Sequence, residues 1–209
     1  MIRRLLPLLA LLTSIVRADH AVLDAWLKRQ SSIQSLEVSF TQERKLPSLK
    51  QPVTTPGKLC FAKPGMVRWE LGDPPATIAI SDGSQFTLID TAAKSARRIS
   101  VDSPQAARFS MLTGKGFQTA EDFYQMFEII ESRVDSGIHQ FTLKPKDRRT
   151  RGQVPWVFLN IDPSSNELRA MEMELQDKSR IRTLFTKPKF NGKLPPATFQ
   201  ADLAGFTVK

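Results

Sequence analysis

One cysteine, Cys60, and two histidines, His20 and His139, are all that the 209 residues offer of the two commonest soft-metal and nucleophile-pair donors. A single cysteine cannot close an internal disulfide, so the small disulfide-stapled class of secreted protein is excluded and stability must come from a hydrophobic core. No His/Cys group at zinc-ligand spacing exists, and Cys60 has no histidine placed to act as its base. Cys60 lies between Leu59 and Phe61 in an apolar, strand-like run, which reads as a structural thiol. There is no nucleophile elbow, and the acids are dispersed mostly on polar strand positions. No catalytic residue, metal or cofactor is assigned, and the chain is expected not to be an enzyme.

Long apolar runs are scarce as well. The one present spans residues 5–16, follows Arg3 and Arg4, and ends in Val16-Arg17-Ala18, where a signal peptidase needs short side chains. It is shorter than the ~20 residues of a bilayer-spanning helix, and Pro7 interrupts it. Residues 1–18 are therefore expected to be a cleavable signal peptide and residues 19–209 a single exported, periplasmic domain, a length suited to one core. No cysteine follows the run to carry a lipid.

Charge of one sign is in excess, at +9 for the chain and +6 once Arg3, Arg4 and Arg17 leave with the leader. Such a field favours encounter with anionic headgroups or an acidic partner. Nucleic acid is not expected, because no basic stripe is interleaved with stacking aromatics. The densest basic cluster, Lys144, Lys146, Arg148, Arg149 and Arg151 around the lone Asp147, fits either a solvated loop or a docking patch.

After the leader, Val22, Leu23, Trp26 and Leu27 follow the spacing of a short amphipathic helix. The period then changes: in residues 36–42, Leu36, Val38 and Phe40 alternate with Glu37, Ser39 and Thr41, as in a half-buried strand. Pro56-Gly57 precedes a strand at 58–62, Pro64-Gly65 turns it into 66–71, and Asp82-Gly83 joins 76–81 to 85–90. A strand at 96–101 follows, then predicted helices at 104–112 and 119–125, the second opened by a Thr119/Asp122 capping box and separated from the first by Gly114 and Gly116. Strands resume at 127–132, 138–144, 156–161, 168–175 and 180–186. The tail, with Pro195-Pro196 and Gly205, reads as irregular, though Phe199 and Phe206 call for packing somewhere.

Sequential strands with short turns make an antiparallel meander that curls toward a barrel. The expected class is α+β, mainly β: an unclosed antiparallel half-barrel with a helical lid. Its inner face would carry Leu36, Val38, Phe40, Leu59, Phe61, Val67, Trp69, Ile78, Ile80, Phe86, Leu88, Met171, Met173 and Leu175. Periodicity alone describes an ordinary core as well as a ligand cavity, since any barrel or sandwich buries one face of each strand.

The ordered set Phe40-Thr41-Gln42, Gly57-x-Leu59, Phe61-x-Lys63-Pro64-Gly65, Arg68-Trp69-Glu70, Pro74 and Ser81-Asp82-Gly83 resembles the LolA family of outer-membrane lipoprotein carriers. The resemblance implies a half-barrel whose helices act as a lid and whose cavity carries lipoprotein acyl chains from an inner-membrane exporter to an outer-membrane acceptor. It implies a monomer, with Val67 and Trp69 on cavity positions. Where many members have an arginine that latches the lid, this chain has Lys63, a point charge in place of a planar fork. Phe109, Met111 and Leu112 would belong to the lid, movable about Gly114 and Gly116. The main alternative keeps the carrier or makes it a sensor, and changes the cargo to a glycolipid or polyketide-type acyl product. It draws on the run 43–52, with Leu46-x-x-Leu49 leading into Pro52.

Overall fold

The structure, a computed structural model, describes residues 10–101, 103 and 119–209, with side chains from residue 20 onward. Helix α1 (Ala10–Ser32) leads into strands β1 (Ser35–Lys45), β2 (Val53–Ala62), β3 (Met66–Leu71), β4 (Thr77–Asp82), β5 (Gln85–Asp90) and β6 (Ser95–Ser100). After the intervening segment come α2 (Ala120–Met126), β7 (Phe127–Asp135), β8 (Ile138–Pro145), α3 (Arg148–Gln153), β9 (Trp156–Asp162), β10 (Glu167–Glu174), β11 (Arg180–Phe190) and β12 (Thr207–Val208). The predicted helix 104–112, with Phe109, Met111, Leu112 and the Gly114/Gly116 joint, lies outside the described residues.

Twelve strands form one unclosed sheet in the order β12-β6-β5-β4-β3-β2-β1-β11-β10-β9-β8-β7. Nearly every neighbour is also a neighbour in sequence, as short turns demand. The long-range join is β1 with β11, where Leu36 pairs with Phe190 and Lys45 with Arg180. It unites two meanders, β1–β6 and β7–β11, into one curved surface.

Two clusters cover the concave face. Over β7–β11, α1 supplies Leu23, Trp26 and Leu27, the i, i+3, i+4 stripe of an amphipathic helix, and α2 supplies Phe123. Together with Phe141, Leu143, Val157, Leu159 and Ile161 they make a core whose side chains are almost wholly sealed from water. Thr119 caps α2 by accepting from the Asp122 amide, as expected, and the helix runs one residue beyond the predicted 119–125 at its far end. Tyr124 donates a 2.7 Å hydrogen bond to Asp24, tying α2 to α1, and burial pushes the Tyr124 phenol up. Over β1–β6 the second cluster holds Val38, Phe40, Leu59, Val67, Trp69, Ala79 and Phe86.

A third, smaller cluster lies on the opposite face: Ile80, Ile89 and Ala96, with Ile78 and the tail residues Ala201, Leu203 and Phe206. This corrects the expectation for Ile78 and Ile80. Register pairs Trp69 with Ala79 and Arg68 with Ile80, so the small Ala79 is the inward residue of β4 and the two isoleucines point outward. Ile80 is buried and Ile78 half-buried because the tail folds back on them, held by Arg68 donating to the Thr198 and Gln200 carbonyls and by β12 pairing in parallel with β6. The tail thus packs Phe199 and Phe206 as their apolarity required, but through a two-residue strand that leaves no periodic signal in the sequence. The basic cluster is split: Lys144 belongs to β8, while Arg148, Arg149 and Arg151 lie on the short helix α3, capped by Asp147.

Candidate functional site

The site lies where the helical cover of the first cluster stops and the second begins. Three aromatic rings run across the join. Phe40 stacks on Trp69 at 4.1 Å between centroids and meets Phe185 edge-on at 6.4 Å. The stack is close because Phe40 faces Gly57 across the β1–β2 ladder, and a Cβ on Gly57 would occupy the Phe40 ring. Glycine here makes room for an aromatic floor.

Beside that floor, sharing Phe185 with it, opens a cleft of about 80 Å³, lined by Trp26 and Gln30 of α1, Leu36 and Val38 of β1, Leu59 of β2, Glu167, Leu168 and Met171 of β10, and Phe185, Pro188 and Phe190 of β11. All but two of these side chains are apolar. The cleft depends on a bulge. Between the pairs Glu37/Lys189 and Ser39/Thr186, β1 advances two residues and β11 three, with Lys187 in a left-handed conformation at φ 53°. The extra residue reverses the side-chain parity of β11, so that odd-numbered Phe185 and even-numbered Pro188 and Phe190 line the same concavity.

The rim is polar and clasped. Arg29 of α1 donates to the Ser165 carbonyl, pairs with Glu167 at 3.4 Å and lies over the Phe190 ring at 4.5 Å. Asp162, in the same β9–β10 turn, accepts from Ser164 and Arg169, and these bonds hold its carboxyl well below the usual carboxylate range. In the β2–β3 turn, Lys63 donates from Nζ to the Ser31 carbonyl at 2.7 Å, in the last turn of α1. A cation there also faces the negative end of the helix dipole. The lysine expected as a latch therefore ties the β2–β3 turn to the N-terminal helix.

The other expected cavity residues divide. Leu36, Val38, Leu59 and Met171 line the cleft. Phe40, Phe61, Val67, Trp69, Phe86 and Leu88 form the adjoining cluster. Met173 and Leu175 sit in the helix-sealed core, filling space and leaving none. Cys60 is buried on the opposite face from Leu59, and burial pushes its thiol up, away from reactivity. Sequence reasoning missed Gln30, Glu167, Leu168, Phe185, Pro188 and Phe190. The alternation in β11 could have yielded Phe185, but the bulge hid the other two.

A family profile described as "Outer membrane lipoprotein carrier protein LolA" matches residues 31–202. An outer-membrane lipoprotein carrier protein of Pseudomonas fluorescens is 28% identical over 205 residues, spanning 97% of this chain and 95% of that one. One from Azotobacter vinelandii is 26% identical over 198 residues, spanning 93% and 90%. In fold, an uncharacterized conserved protein from Thermus thermophilus superposes with a TM-score of 0.54 at 7% identity, over 92% of this chain and 98% of that one. Profile, relatives and the unclosed twelve-stranded sheet agree, and the chain is a member of the LolA family of outer-membrane lipoprotein carrier proteins.

Proposed function

We propose that this protein is a periplasmic carrier, exported on a cleaved leader of residues 1–18, that takes the acyl chains of lipoproteins into the cleft between α1 and the β1–β11 seam. It would collect them from an inner-membrane exporter, surrender them to an outer-membrane acceptor, and work as a monomer. The observation that carries this reading is the apolar lining of that cleft beside a clasped polar rim. Each exposed methylene costs about 0.8 kcal/mol in water, so a ~16-carbon chain costs about 12 kcal/mol and needs shelter in transit. At about 80 Å³ the cleft is smaller than the ~300–1,000 Å³ of filled ligand sites. Loading therefore requires α1 to move off β1 and β11, and the bonds that resist are those of Lys63 to Ser31 and of Arg29 to Ser165 and Glu167.

The test is native mass spectrometry of protein recovered from the periplasm of expressing bacteria, beside a Leu36→Glu, Phe190→Glu variant. Both side chains are half-buried at the mouth, and circular dichroism checks that the variant folds. An acylated mass on the wild type, absent from the folded variant, supports the carrier and identifies its cargo. A clean wild type that also takes up no fluorescent acyl probe overturns it.

A further inference from the structure

Three connections lie side by side at one end of the β2-β1-β11-β10-β9-β8 stretch of sheet: the β1–β2 loop, the β10–β11 turn and the β8–β9 connection that contains α3. They touch. The Gln176 amide donates to the Gln153 carbonyl at 3.2 Å, and the Asp177 carboxyl, held low first by hydrogen bonds from Ser179, is lowered further by the charge of Arg44. Residues 43–53, 144–155 and 174–180 together contain ten Lys and Arg against two Asp and two Glu, a net +6 where the whole chain carries +9. With Glu121 and Asp122 of the nearby α2 counted, this end remains cationic.

Part of this charge is spent internally. Lys178 and Arg180 pair with Glu174, and Lys146 donates to the Tyr124 carbonyl. Arg44, Lys45, Lys50, Arg148 and Arg149 are exposed and form no salt bridge among the described residues. Beside these cations stand two of the large apolar side chains most exposed to solvent: Val53 at 49%, the first residue of β2 opposite Arg44, and Leu49 at 45%, on the loop before it, which Leu49 closes by donating to the Leu46 carbonyl. Pro47 and Pro52 stiffen it.

We infer that this end is a docking surface for a bilayer bearing anionic phosphate headgroups, with Leu49 and Val53 entering the interface and the surrounding lysines and arginines meeting the phosphates. Apolar side chains at the tip of a cationic surface suit a boundary that is hydrocarbon below and anionic above; an acidic protein surface would use the charges and leave the two apolar side chains wet. The end is also remote from the cleft. Leu36 and Phe190 pair at one end of the β1–β11 ladder and Lys45 and Arg180 at the other, about 30 Å away at ~3.3 Å per residue. Docking this way keeps the cleft mouth clear of the membrane and free to meet a protein.

Vesicle flotation tests it, using protein purified from the soluble fraction of bacteria expressing the full chain. The probes are vesicles of phosphatidylethanolamine and phosphatidylglycerol at 3:1, and of phosphatidylcholine alone. The variants are Lys45→Glu with Lys50→Glu, Arg148→Glu with Arg149→Glu, and Leu49→Ser with Val53→Ser. Wild type is expected to float with anionic vesicles and not with neutral ones, each charge reversal to lower binding at least about tenfold, and the serine pair to lower it without changing its salt dependence. Every substituted side chain is exposed, so the variants should melt like wild type and keep their uptake of a fluorescent acyl probe. Equal flotation with both vesicles, or none with either, overturns the inference. So does capture of an acidic protein partner that the reversals abolish and the serine pair leaves intact, which would make this end a protein-docking surface.

Discussion

The two parts of the concave face use the same residue types and end differently. Over β7–β10, Leu143, Val157, Leu159 and Ile161 have no exposure at all, because α1 and α2 lie across them and Trp26 meets Phe123 edge to face. At the β1–β11 seam, Leu36, Phe185 and Phe190, with Leu168 of the adjoining β10, stay half-buried, because only the last turns of α1 reach them. A cavity in this fold is therefore a matter of where the cover stops. Apolar strands under a well-fitted helix become core, and apolar strands at its margin become a cleft.

Truncation should separate the two sharply. Phe141→Ala, in the sealed half, is expected to cost about 3–5 kcal/mol in chemical denaturation and to leave acyl-probe affinity unchanged in whatever fraction folds. Leu36→Ala, at the seam, should cost only about 1–2 kcal/mol while weakening probe binding several-fold. Equal costs with no change in binding would make the seam an ordinary part of the core.

Next in size is the tie between the β2–β3 turn and the helix end. Lys63→Ala removes a hydrogen bond to the Ser31 carbonyl and a favourable charge at the C-terminus of α1, for an expected loss of about 0.5–1 kcal/mol. If that bond resists loading, stopped-flow uptake of the probe should also become faster, and Lys63→Arg should restore the wild-type rate. Unchanged uptake would place the resistance elsewhere, with Arg29 the first candidate.

The smallest effect expected is at the rim. The Asp162 carboxyl is held low by Ser164 and then by Arg169, so its folded pKa lies below the unfolded value of ~3.9. Its contribution is thus complete above pH ~4 and drains away as the pH falls toward the folded value. Asp162→Asn should flatten that acid limb of a stability-versus-pH curve by a fraction of a kcal/mol, since exposed pairs are worth little, and leave neutral-pH binding intact. A steeper limb in the variant would contradict the assignment.

Much of the fold was written locally. Alternation in β1 through β5, turn residues at Pro64-Gly65 and Asp82-Gly83, and the Thr119 cap each act within a few residues, so they are legible without knowing the rest of the chain. Errors arose where alternation is ambiguous about direction. In β4 an isoleucine on each side of Ala79 suggested an inward Ile78 and Ile80, whereas pairing with Trp69 turned the small residue in. Met173 and Leu175 share the buried cluster beneath the helices, but whether such a side chain lines a space or fills it depends on the helix above, and no strand encodes that.

What the sequence by itself determined, then, is the periodic and chemical part: a mainly β chain, a half-barrel resembling the LolA carriers, one inert thiol, and a surplus of positive charge. What only the tertiary structure decided is placement. The bulge in β11 that turns Pro188 and Phe190 toward the cleft, the crossing of α1 that gives the cleft its edge, and the gathering of cations from three separated connections at one end all arise from pairing strands far apart in sequence. Such pairings are selected by the packing of the whole sheet, so no local window of residues contains them.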